Sequence, residues 1–509
     1  MTPERPDIAG EPDYWYQDKL TGQRLAFSPK PGEAVVTLAG TRDKDALPGL
    51  LSGPAVRSIS RGANLRRGFA AVHVEPGRAI SDLTAQEDIA GALPVMIDQD
   101  GLERYFLPSE FTVQFRPDVN AATAEAIIDR LGSGIVAQQR TPGYYTLLVP
   151  SGRGLFATIR QFSDLPEVAF AEPSEAGFDD ALAHIPADPD FPSLWGMRNT
   201  GQAVNGVAGT AGIDIDASAA WDLHRGDPAV IVTVIDTGAD LDHPDLQANL
   251  LPRGGEDWDF ADAGDPSPDD EEGHGTHVAG TAAATENAIG VVGVAPRCQI
   301  MPLRIDLQSG MNQNRADAIN YVAQQAATHP ARRYVVNCSW RTSGDHAGIR
   351  NAIVNATDAN VVVVFAAGNS NRNTDVTPEY PGVYPQVIAV AAIDQNGLRA
   401  GFSNFGSNVD VCAPGVNVYS SLPEETYGFL DGTSMAAPHV TGLAALVWSV
   451  SQELTSQQVR QIIEDTCVSV DSLNPAHAGQ LGQGRVNAFR AVELAQFITA
   501  YVPSIPALA

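Results

Sequence analysis

Four runs of consecutive apolar residues, rich in Val and Ile, most constrain the fold of this chain. They lie at 231–235, 334–337, 361–366 and 387–391, with helical patterns between them. Strands that are apolar on both faces are typical of a parallel sheet covered by helices on both sides. We therefore predict an α/β domain over residues 190–497, with functional groups at the carboxyl ends of its strands.

The residues before this domain show another pattern, which occurs twice. Over 34–107 we predict strands at 34–39, 56–60, 68–74 and 93–97, with helices at 44–51 and 79–89. Over 108–178 the order recurs, with strands at 111–115, 135–140, 144–149 and 168–171 and helices at 122–131 and 155–162. The order βαββαβ is that of a ferredoxin-like α+β domain. Residues 1–33 are predicted as an irregular lead-in, 179–189 as a linker and 498–509 as a tail.

Composition excludes several classes of function. The 61 acidic residues outnumber the 32 basic ones, which gives a net charge of −29. Without a basic stripe, we expect no nucleic-acid partner. The four cysteines form no CxxC pair, so we expect free buried thiols and no zinc site. No secretory signal and no apolar run near 18 residues is visible, so we expect a cytoplasmic protein with no membrane partner.

Polar residues capable of acyl-transfer chemistry follow these apolar runs or begin helices. Asp236 ends the run at 231–235, and Asn369 follows the run at 361–366. His274 and Ser434 each begin a small-residue helix, within Gly-His-Gly-Thr-His and Gly-Thr-Ser-Met-Ala-Ala-Pro. Each motif alone has a structural explanation as a turn former, a packing residue or a helix cap. Together they supply a nucleophile, a base, a carboxylate that orients the base, and an oxyanion donor.

In the order and context of these motifs the chain resembles the subtilisin-type serine proteases, or subtilases, over about 188–497. The resemblance implies a serine endopeptidase that forms an acyl-enzyme and takes protein or peptide substrates. Ser434 would be the nucleophile, His274 the general base and acid, and Asp236 its orienting carboxylate. Asn369 and the backbone N–H of Ser434 would form the oxyanion hole. We expect two further histidines, His277 and His439, to be packing residues.

The resemblance also implies a structural Ca²⁺ ion and no organic cofactor. The implied side-chain ligands are Asp188, Asp245 and Asn287. The implied backbone carbonyl ligands are Thr285, Ile289 and Val291. Oxygen ligands of this kind suit Ca²⁺. For the acidic segment 259–270 two interpretations remain: a second Ca²⁺ site or a solvated acidic loop.

The same resemblance makes residues 108–178 an N-terminal propeptide that inhibits its own protease domain. The chain would then be a zymogen that matures by a cut within 174–188. The additional repeat at 34–107 would be a duplicated propeptide or an interaction module.

The residues implied in substrate binding are Ser339, Trp340, Arg341, Ala366, Gly368 and Glu379. Trp340 and Arg341 stand where the family usually has Leu-Gly, so we expect them to narrow or reshape the cleft. Glu379 corresponds to the floor of the first specificity pocket, where a carboxylate favours Lys or Arg before the scissile bond. The alternative is that Glu379 points to solvent.

The function implied is that of a general endopeptidase or of a narrow processing protease. A non-catalytic binding protein on the same scaffold would lack Asp236, His274 or Ser434 of the catalytic triad.

Overall fold

The structure, a computed structural model, describes residues 14–19, 21–38, 55–64, 69–75, 77–86, 89–99, 103–138, 141, 143–176, 184–262 and 264–501. The chain divides into two compact units, with the break after Asp179. The predicted helix at 44–51 lies outside the described residues.

The first unit is mainly antiparallel sheet. Its strands are β1 Trp15–Gln17, β2 Arg24–Ala26, β3 Ser28–Leu38, β4 Val56–Asn64, β5 Phe69–Val74, β6 Ile89–Ile97, β7 Glu103–Arg104, β8 Phe106–Phe115, β9 Ile135–Gln138, β10 Tyr144–Leu148 and β11 Val168–Glu175. Its helices are α1 Ile80–Leu83, α2 Ala121–Arg130 and α3 Leu155–Ser163.

Two sheets of this unit have the strand order expected of ferredoxin-like repeats. The order β11-β8-β10-β9 places the fourth strand of the second repeat beside the first, followed by the third and second. The order β4-β5-β3-β6 gives the first repeat the same arrangement, and β7 extends its edge. The predicted helix at 79–89 forms only its first turn, because β6 begins at Ile89 and pairs with β3.

The predicted irregular lead-in is partly ordered sheet, which corrects that expectation. Strands β1 and β2 pair with each other, and β3 begins at Ser28. Tyr16 and Phe27 are buried in the core of the second repeat, where Phe27 meets Phe106 edge to face at 5.0 Å. Three-residue strands are too short to show a period, and Phe106, against which Phe27 packs, is distant in sequence.

The second unit contains the predicted parallel sheet. Its strands are β12 Ala203–Val204, β13 Val207–Ala208, β14 Val230–Asp236, β15 Gln299–Arg304, β16 Arg333–Cys338, β17 Val362–Ala366, β18 Ile388–Ile393, β19 Val411–Pro414, β20 Val418–Leu422 and β21 Thr426–Leu430. Its helices are α4 Ala217–Leu223, α5 His274–Ala283, α6 Asn312–Thr328, α7 Ala347–Asp358, α8 Thr433–Val450, α9 Ser456–Asp465 and α10 Ala488–Tyr501, with short 3₁₀ turns at Phe191–Ser193 and Pro475–His477.

Six strands in the order β15-β14-β16-β17-β18-β19 form this sheet, and every neighbouring pair is parallel. Helices α6 and α7 share a buried cluster with one face of the sheet, and α8 packs on β14, β16, β17, β18 and β19. Burial on both faces explains why the strands read as unbroken apolar runs. The α/β fold class predicted from those runs is confirmed. Helix α10 continues to Tyr501, past the predicted end of the domain at 497.

Candidate active site

The carboxylate of Asp236 is fixed at the carboxyl end of β14. The residue is fully buried, and its Oδ1 accepts hydrogen bonds from the backbone N–H of Thr237 at 2.9 Å and from Nδ1 of His274 at 2.6 Å. A short bond between a buried carboxylate and an imidazole fixes the ring orientation and places the proton on Nδ1. Nε2 is then the free acceptor of the His274 ring.

His274 begins helix α5, and Asp270 holds the start of that helix. The buried Asp270 carboxylate accepts the backbone N–H groups of Glu272, Gly273 and Thr276, each at 2.9 Å, and the Thr276 hydroxyl at 2.7 Å. The N–H groups of Gly273 and Thr276 are among those that a helix start leaves without partners. Asp270 is a positioning residue that the sequence indicated only as part of an acidic segment. Its place four residues before His274 was the available signal.

The surroundings of His274 raise the pKa of its imidazole above the ordinary value. Burial by itself lowers this pKa, but the charge and hydrogen bond of Asp236 outweigh it, and the charges of Asp270 and Glu272 add to the rise. These three acidic neighbours stabilise an imidazolium. The site therefore favours protonation of His274 whenever a proton is delivered to it.

Ser434 is the second residue of α8, and its backbone is held by Ser339. The Ser339 hydroxyl donates to the carbonyl of Ser434 at 2.8 Å. That carbonyl lacks its helical partner because Pro438, four residues on, has no N–H. The Ser434 hydroxyl donates to the carbonyl of Ser339 at 3.2 Å, and among the described residues no hydrogen bond joins it to His274.

Asn369 lies beside the start of the same helix. Its Oδ1 accepts the backbone N–H of Thr433 at 2.9 Å and the Thr433 hydroxyl at 2.8 Å, which assigns the other amide atom as the NH₂ group. A Cβ on Gly432 would lie 3.4 Å from both Asn369 Nδ2 and the backbone N of Ser434. Two N–H donors therefore converge on one small space at the glycine, as stabilisation of an oxyanion requires.

Asn404 is a second positioning residue, and no sequence motif indicated it. It is fully buried, and its Oδ1 accepts the backbone N–H groups of Ser370 and Arg372 at 3.1 and 2.9 Å. Its Nδ2 donates to the carbonyl of Ala367 at 2.9 Å. Asn404 thus fixes the segment that carries Asn369, although it is more than thirty residues away and forms no motif with it.

The structure places Glu379 and Arg341 together. Glu379 is only 5% exposed, which is contrary to the alternative that it points to solvent. Its Oε1 lies 3.2 Å from Nη1 of Arg341, and its Oε2 lies 3.4 Å from Nδ2 of Asn404. Gly368, with φ of +100°, lies against this carboxylate, since a Cβ there would be 2.8 Å from Cγ of Glu379. Ala366, the last residue of β17, leads into the same segment.

Trp340 does not line the cleft, which corrects the expectation that it narrows the cleft. Its side chain is 6% exposed, donates from Nε1 to the carbonyl of Ile235 at 3.0 Å, and meets Phe365 edge to face at 5.0 Å. An indole that can satisfy its N–H is stable in a core. Trp340 therefore supports the strand that ends in Asp236.

Of the implied calcium ligands, Asp188, Asp245 and Val291 are buried, whereas Thr285 and Asn287 are half-buried and Ile289 is exposed. Asp188 is 2% exposed; its Oδ1 accepts the backbone N–H of Asn287 at 3.1 Å, and its Oδ2 is buried without a hydrogen bond among the described residues. Burial raises the pKa of Asp188, and the nearby Asp245 and Glu286 add to the rise. A buried, unpartnered carboxylate oxygen next to other carboxylates fits a cation.

The loop beside Asp188 is organised by Asp245. Its Oδ2 accepts the backbone N–H of Val291 at 2.8 Å, and its carbonyl accepts that of Thr285 at 2.7 Å. The Asn287 amide donates to Asp245 Oδ1, and its oxygen accepts the N–H of Ile289 at 2.8 Å. The side-chain oxygen of Asn287, one of the implied ligands, therefore already accepts a hydrogen bond within the loop. In the part of the chain described, no three His, Cys, Asp or Glu side chains cluster as a metal site.

Carboxylates in 259–270 are engaged by their own loop. Asp259 pairs with Arg304 at 2.8 Å and accepts the N–H groups of Ala261 and Asp262. Asp262 and Asp265 each accept an N–H two residues on. These contacts are those of turns and a buried ion pair, and they favour the loop alternative over a second metal site.

The other two histidines near the triad are buried in packing positions. His277 lies with Nε2 3.0 Å from the carbonyl of Val418, and His439 with Nδ1 2.9 Å from the carbonyl of Met435. Burial lowers the pKa of each to about 4.

Comparisons with known proteins define the class. Residues 227–487 match the model of the subtilase family, Peptidase_S8. Thermitase from Thermoactinomyces vulgaris is 40% identical over 282 residues, covering 55% of this chain and 94% of thermitase. A structure of a protease from Pseudoalteromonas arctica is 33% identical with a TM-score of 0.52, over 61% of this chain and 99% of that one.

The chain therefore belongs to the subtilase family, and it is a subtilisin-like serine endopeptidase. A thermophilic serine proteinase from Bacillus sp. (strain AK1) is 34% identical over 392 residues, covering 76% of this chain and 88% of that protein. That alignment is longer than the second unit, so it includes part of the first. None of the helices within the described ranges is long and apolar enough to cross a membrane.

Proposed function

We propose that Asp236, His274 and Ser434 carry out the peptide hydrolysis of this endopeptidase. The observation that carries the proposal is the 2.6 Å bond between buried Asp236 and His274. It leaves Nε2 of His274 as the acceptor for the proton of a nucleophile. Ser434 is then that nucleophile, at the start of a helix whose dipole favours negative charge.

The reaction follows the chemistry of acyl transfer. The Ser434 hydroxyl turns from the Ser339 carbonyl to Nε2 of His274, gives up its proton and attacks the scissile carbonyl. Negative charge develops on the carbonyl oxygen, and the Asn369 amide and the Ser434 N–H donate to it. His274 passes the proton to the leaving amine, and water then releases the acyl group by the reverse steps.

A fluorophosphonate probe tests these roles. We expect the matured protein to be labelled once, at Ser434, and Ser434→Ala to be unlabelled and inactive. Ser407→Ala, which changes a serine that bonds to Asp375 on an exposed loop, is the matched control and should keep full labelling. Absence of labelling in the matured wild type would contradict the proposal.

We further propose that the chain is a zymogen whose second ferredoxin-like repeat is an intramolecular inhibitor. The supporting observations are the four-stranded sheet in ferredoxin order and the break between compact units after Asp179. A cut in the predicted region 174–188 would separate the two units. The part of the first unit shared with the Bacillus proteinase supports the same proposal.

Mass spectrometry of the full chain during incubation tests the zymogen. We expect two fragments, with a new N-terminus between 174 and 188, and no cutting in the Ser434→Ala variant. Adding active enzyme to that variant distinguishes cleavage by its own site from cleavage by another molecule. A wild-type chain that stays whole yet hydrolyses peptides fully would contradict self-inhibition.

We also propose a structural Ca²⁺ ion held by Asp188, Asp245 and the loop 285–291. The buried, unpartnered oxygen of Asp188 supports it. A bound cation would compensate that charge and join the segment at 188 to the loop. A chelator should lower the Tm of Ser434→Ala protein by several degrees, and Asp188→Asn should remove the sensitivity. A Tm that the chelator leaves unchanged would refute the site.

Finally, we propose a preference for Lys or Arg before the scissile bond, with Glu379 as the selecting carboxylate. Its burial between the segment of Asn369 and that of Ser339 supports the assignment, because a buried carboxylate recognises a cation strongly. Both segments border the nucleophile. Peptides that differ only before the cut test it; equal kcat/KM for Arg and Leu, in the wild type and in Arg341 variants, would exclude it.

A further inference from the structure

Glu379 already has a cationic partner inside the protein. Its Oε1 lies 3.2 Å from Nη1 of Arg341, and the two side chains differ sharply in exposure: 5% for Glu379 and 63% for Arg341. Within the described ranges Arg341 is the only cationic side chain in ion-pair contact with this carboxylate. The pair therefore joins a fixed anion to a cation that reaches it from solvent.

The carboxylate has little freedom to move. The Asn404 amide lies on its Oε2, and Gly368 leaves no room for a side chain beside its Cγ. Asn404 is itself fixed by the backbone on both sides of Asn369. Glu379 therefore stays in place whether or not Arg341 contacts it.

The backbone of Arg341 is held in place, whereas its side chain is largely exposed to solvent. The buried Arg315 donates to the carbonyl of Arg341 at 3.1 Å, and the next residue, Thr342, donates its N–H to the carbonyl of Tyr380 at 2.9 Å. In the described part of the chain, the ion pair with Glu379 is the one polar contact of the guanidinium. An exposed ion pair of one long side chain is weak and is readily exchanged for another cation.

We propose that Arg341 is an internal occupant of the specificity pocket, which neutralises Glu379 until the basic side chain of a substrate displaces it. The inference rests on the proposed role of Glu379. With Arg341 in place the pocket is electrically neutral and accepts uncharged side chains. A substrate with Lys or Arg has to replace an existing ion pair, so the selectivity of the native enzyme for basic residues is weaker than a bare buried carboxylate would give.

The test uses two peptides that differ only in Arg or Leu before the cut. We expect Arg341→Gln to raise the Arg-to-Leu ratio of kcat/KM about fivefold, the upper range for an exposed pair. The gain should lie mainly in KM and shrink in high salt. Benzamidine, a soluble cation of similar shape, should inhibit Arg341→Gln about fivefold more tightly than wild type. Arg350→Gln, which removes another exposed arginine paired with Asp345, is the matched control and should change neither value.

Glu379→Gln separates the two proposals. If it lowers the Arg-to-Leu ratio but Arg341→Gln leaves both the ratio and benzamidine inhibition unchanged, the internal occupant is refuted while the basic preference stands. If Glu379→Gln leaves the ratio unchanged alone and together with Arg341→Gln, the basic preference itself fails. Should the buried Glu379 variant not fold, the benzamidine comparison on the surface variant Arg341→Gln still decides.

Discussion

The second unit holds two pairs of charged side chains, Asp236–His274 and Glu379–Arg341, in different ways. The imidazole of His274 is fixed by a fully buried carboxylate at 2.6 Å and by a helix start that Asp270 holds with four hydrogen bonds. Glu379 is fixed, but its partner Arg341 reaches it through one exposed side chain. Bond-making chemistry needs groups preorganised within a fraction of an ångström. The proposed role of Glu379 in substrate selection needs instead a partner that can leave.

We expect the largest effect on activity from a change among the rigidly held catalytic groups. In subtilisin, loss of the oxyanion-hole asparagine costs about 10²–10³-fold in kcat, and we expect a fall of the same order for Asn369→Gly. KM should hardly change, because the interaction forms in the transition state. Peptide hydrolysis after maturation measures both constants.

Asn369→Asp sharpens this test. It keeps an oxygen for the two Thr433 donors but removes the NH₂ group, so it should lose at least as much kcat as Asn369→Gly. The neighbouring Ser370→Ala serves as control. If Asn369→Asp retained near-wild-type kcat, Asn369 would be a structural residue only.

A middle-sized effect is expected at the start of helix α5. Asp270→Ala leaves four buried donors without partners, and loss of a helix cap costs about 1–2 kcal/mol. We expect the free energy of unfolding to fall by about 2 kcal/mol, measured by denaturant titration in the Ser434→Ala background. Asp269→Ala is the matched control, because Asp269 is exposed and accepts one N–H at 3.3 Å. Equal effects of the two changes would refute the positioning role.

The smallest effect concerns pH. Activity needs neutral His274, and the pKa of His274 is raised by its acidic neighbours, so the acid limb of kcat/KM should lie above the usual histidine value. Glu272→Gln removes one negative charge, lowers that pKa and should move the limb to lower pH by a few tenths of a unit at low salt.

Glu271→Gln is the control for this shift, since Glu271 is also exposed and acts on Arg304. Salt at 0.5 M should shrink the shift of Glu272→Gln. A limb that moves to higher pH, or one that responds equally to both variants, would contradict the assignment of the limb to His274.

Much of the fold could be predicted because burial leaves a periodic trace. The strands that end in Asp236 and Ala366 are apolar on both faces, and that pattern alone indicates a parallel sheet with sites at its carboxyl edge. The short pair β1–β2 left no such trace. Phe27, which follows β2, packs against Phe106 some eighty residues further along the chain.

The candidate site residues that lie in short sequence motifs could be predicted from the sequence. Those that reach the site only when the chain folds could not. Asp236, His274, Asn369 and Ser434 each sit in a local pattern of glycines and small residues. Asn404 and Asp270 act through backbone N–H groups, which every residue carries and no sequence pattern displays. Trp340 was assigned to the cleft because it stands where the family usually has Leu in its substrate-binding strand, but its size and its satisfied N–H place it in the core.

The sequence by itself determined the class of this protein, since the order and context of four short motifs specify the chemistry. Only the tertiary structure decided what surrounds that chemistry. Whether Glu379 is exposed or buried depends on Gly368 and Asn404 lying against it, and its ion pair depends on Arg341, which comes from another segment of the chain. Motifs fix local geometry, but the pairing of charges is set by burial and distance, and both arise only when the chain folds.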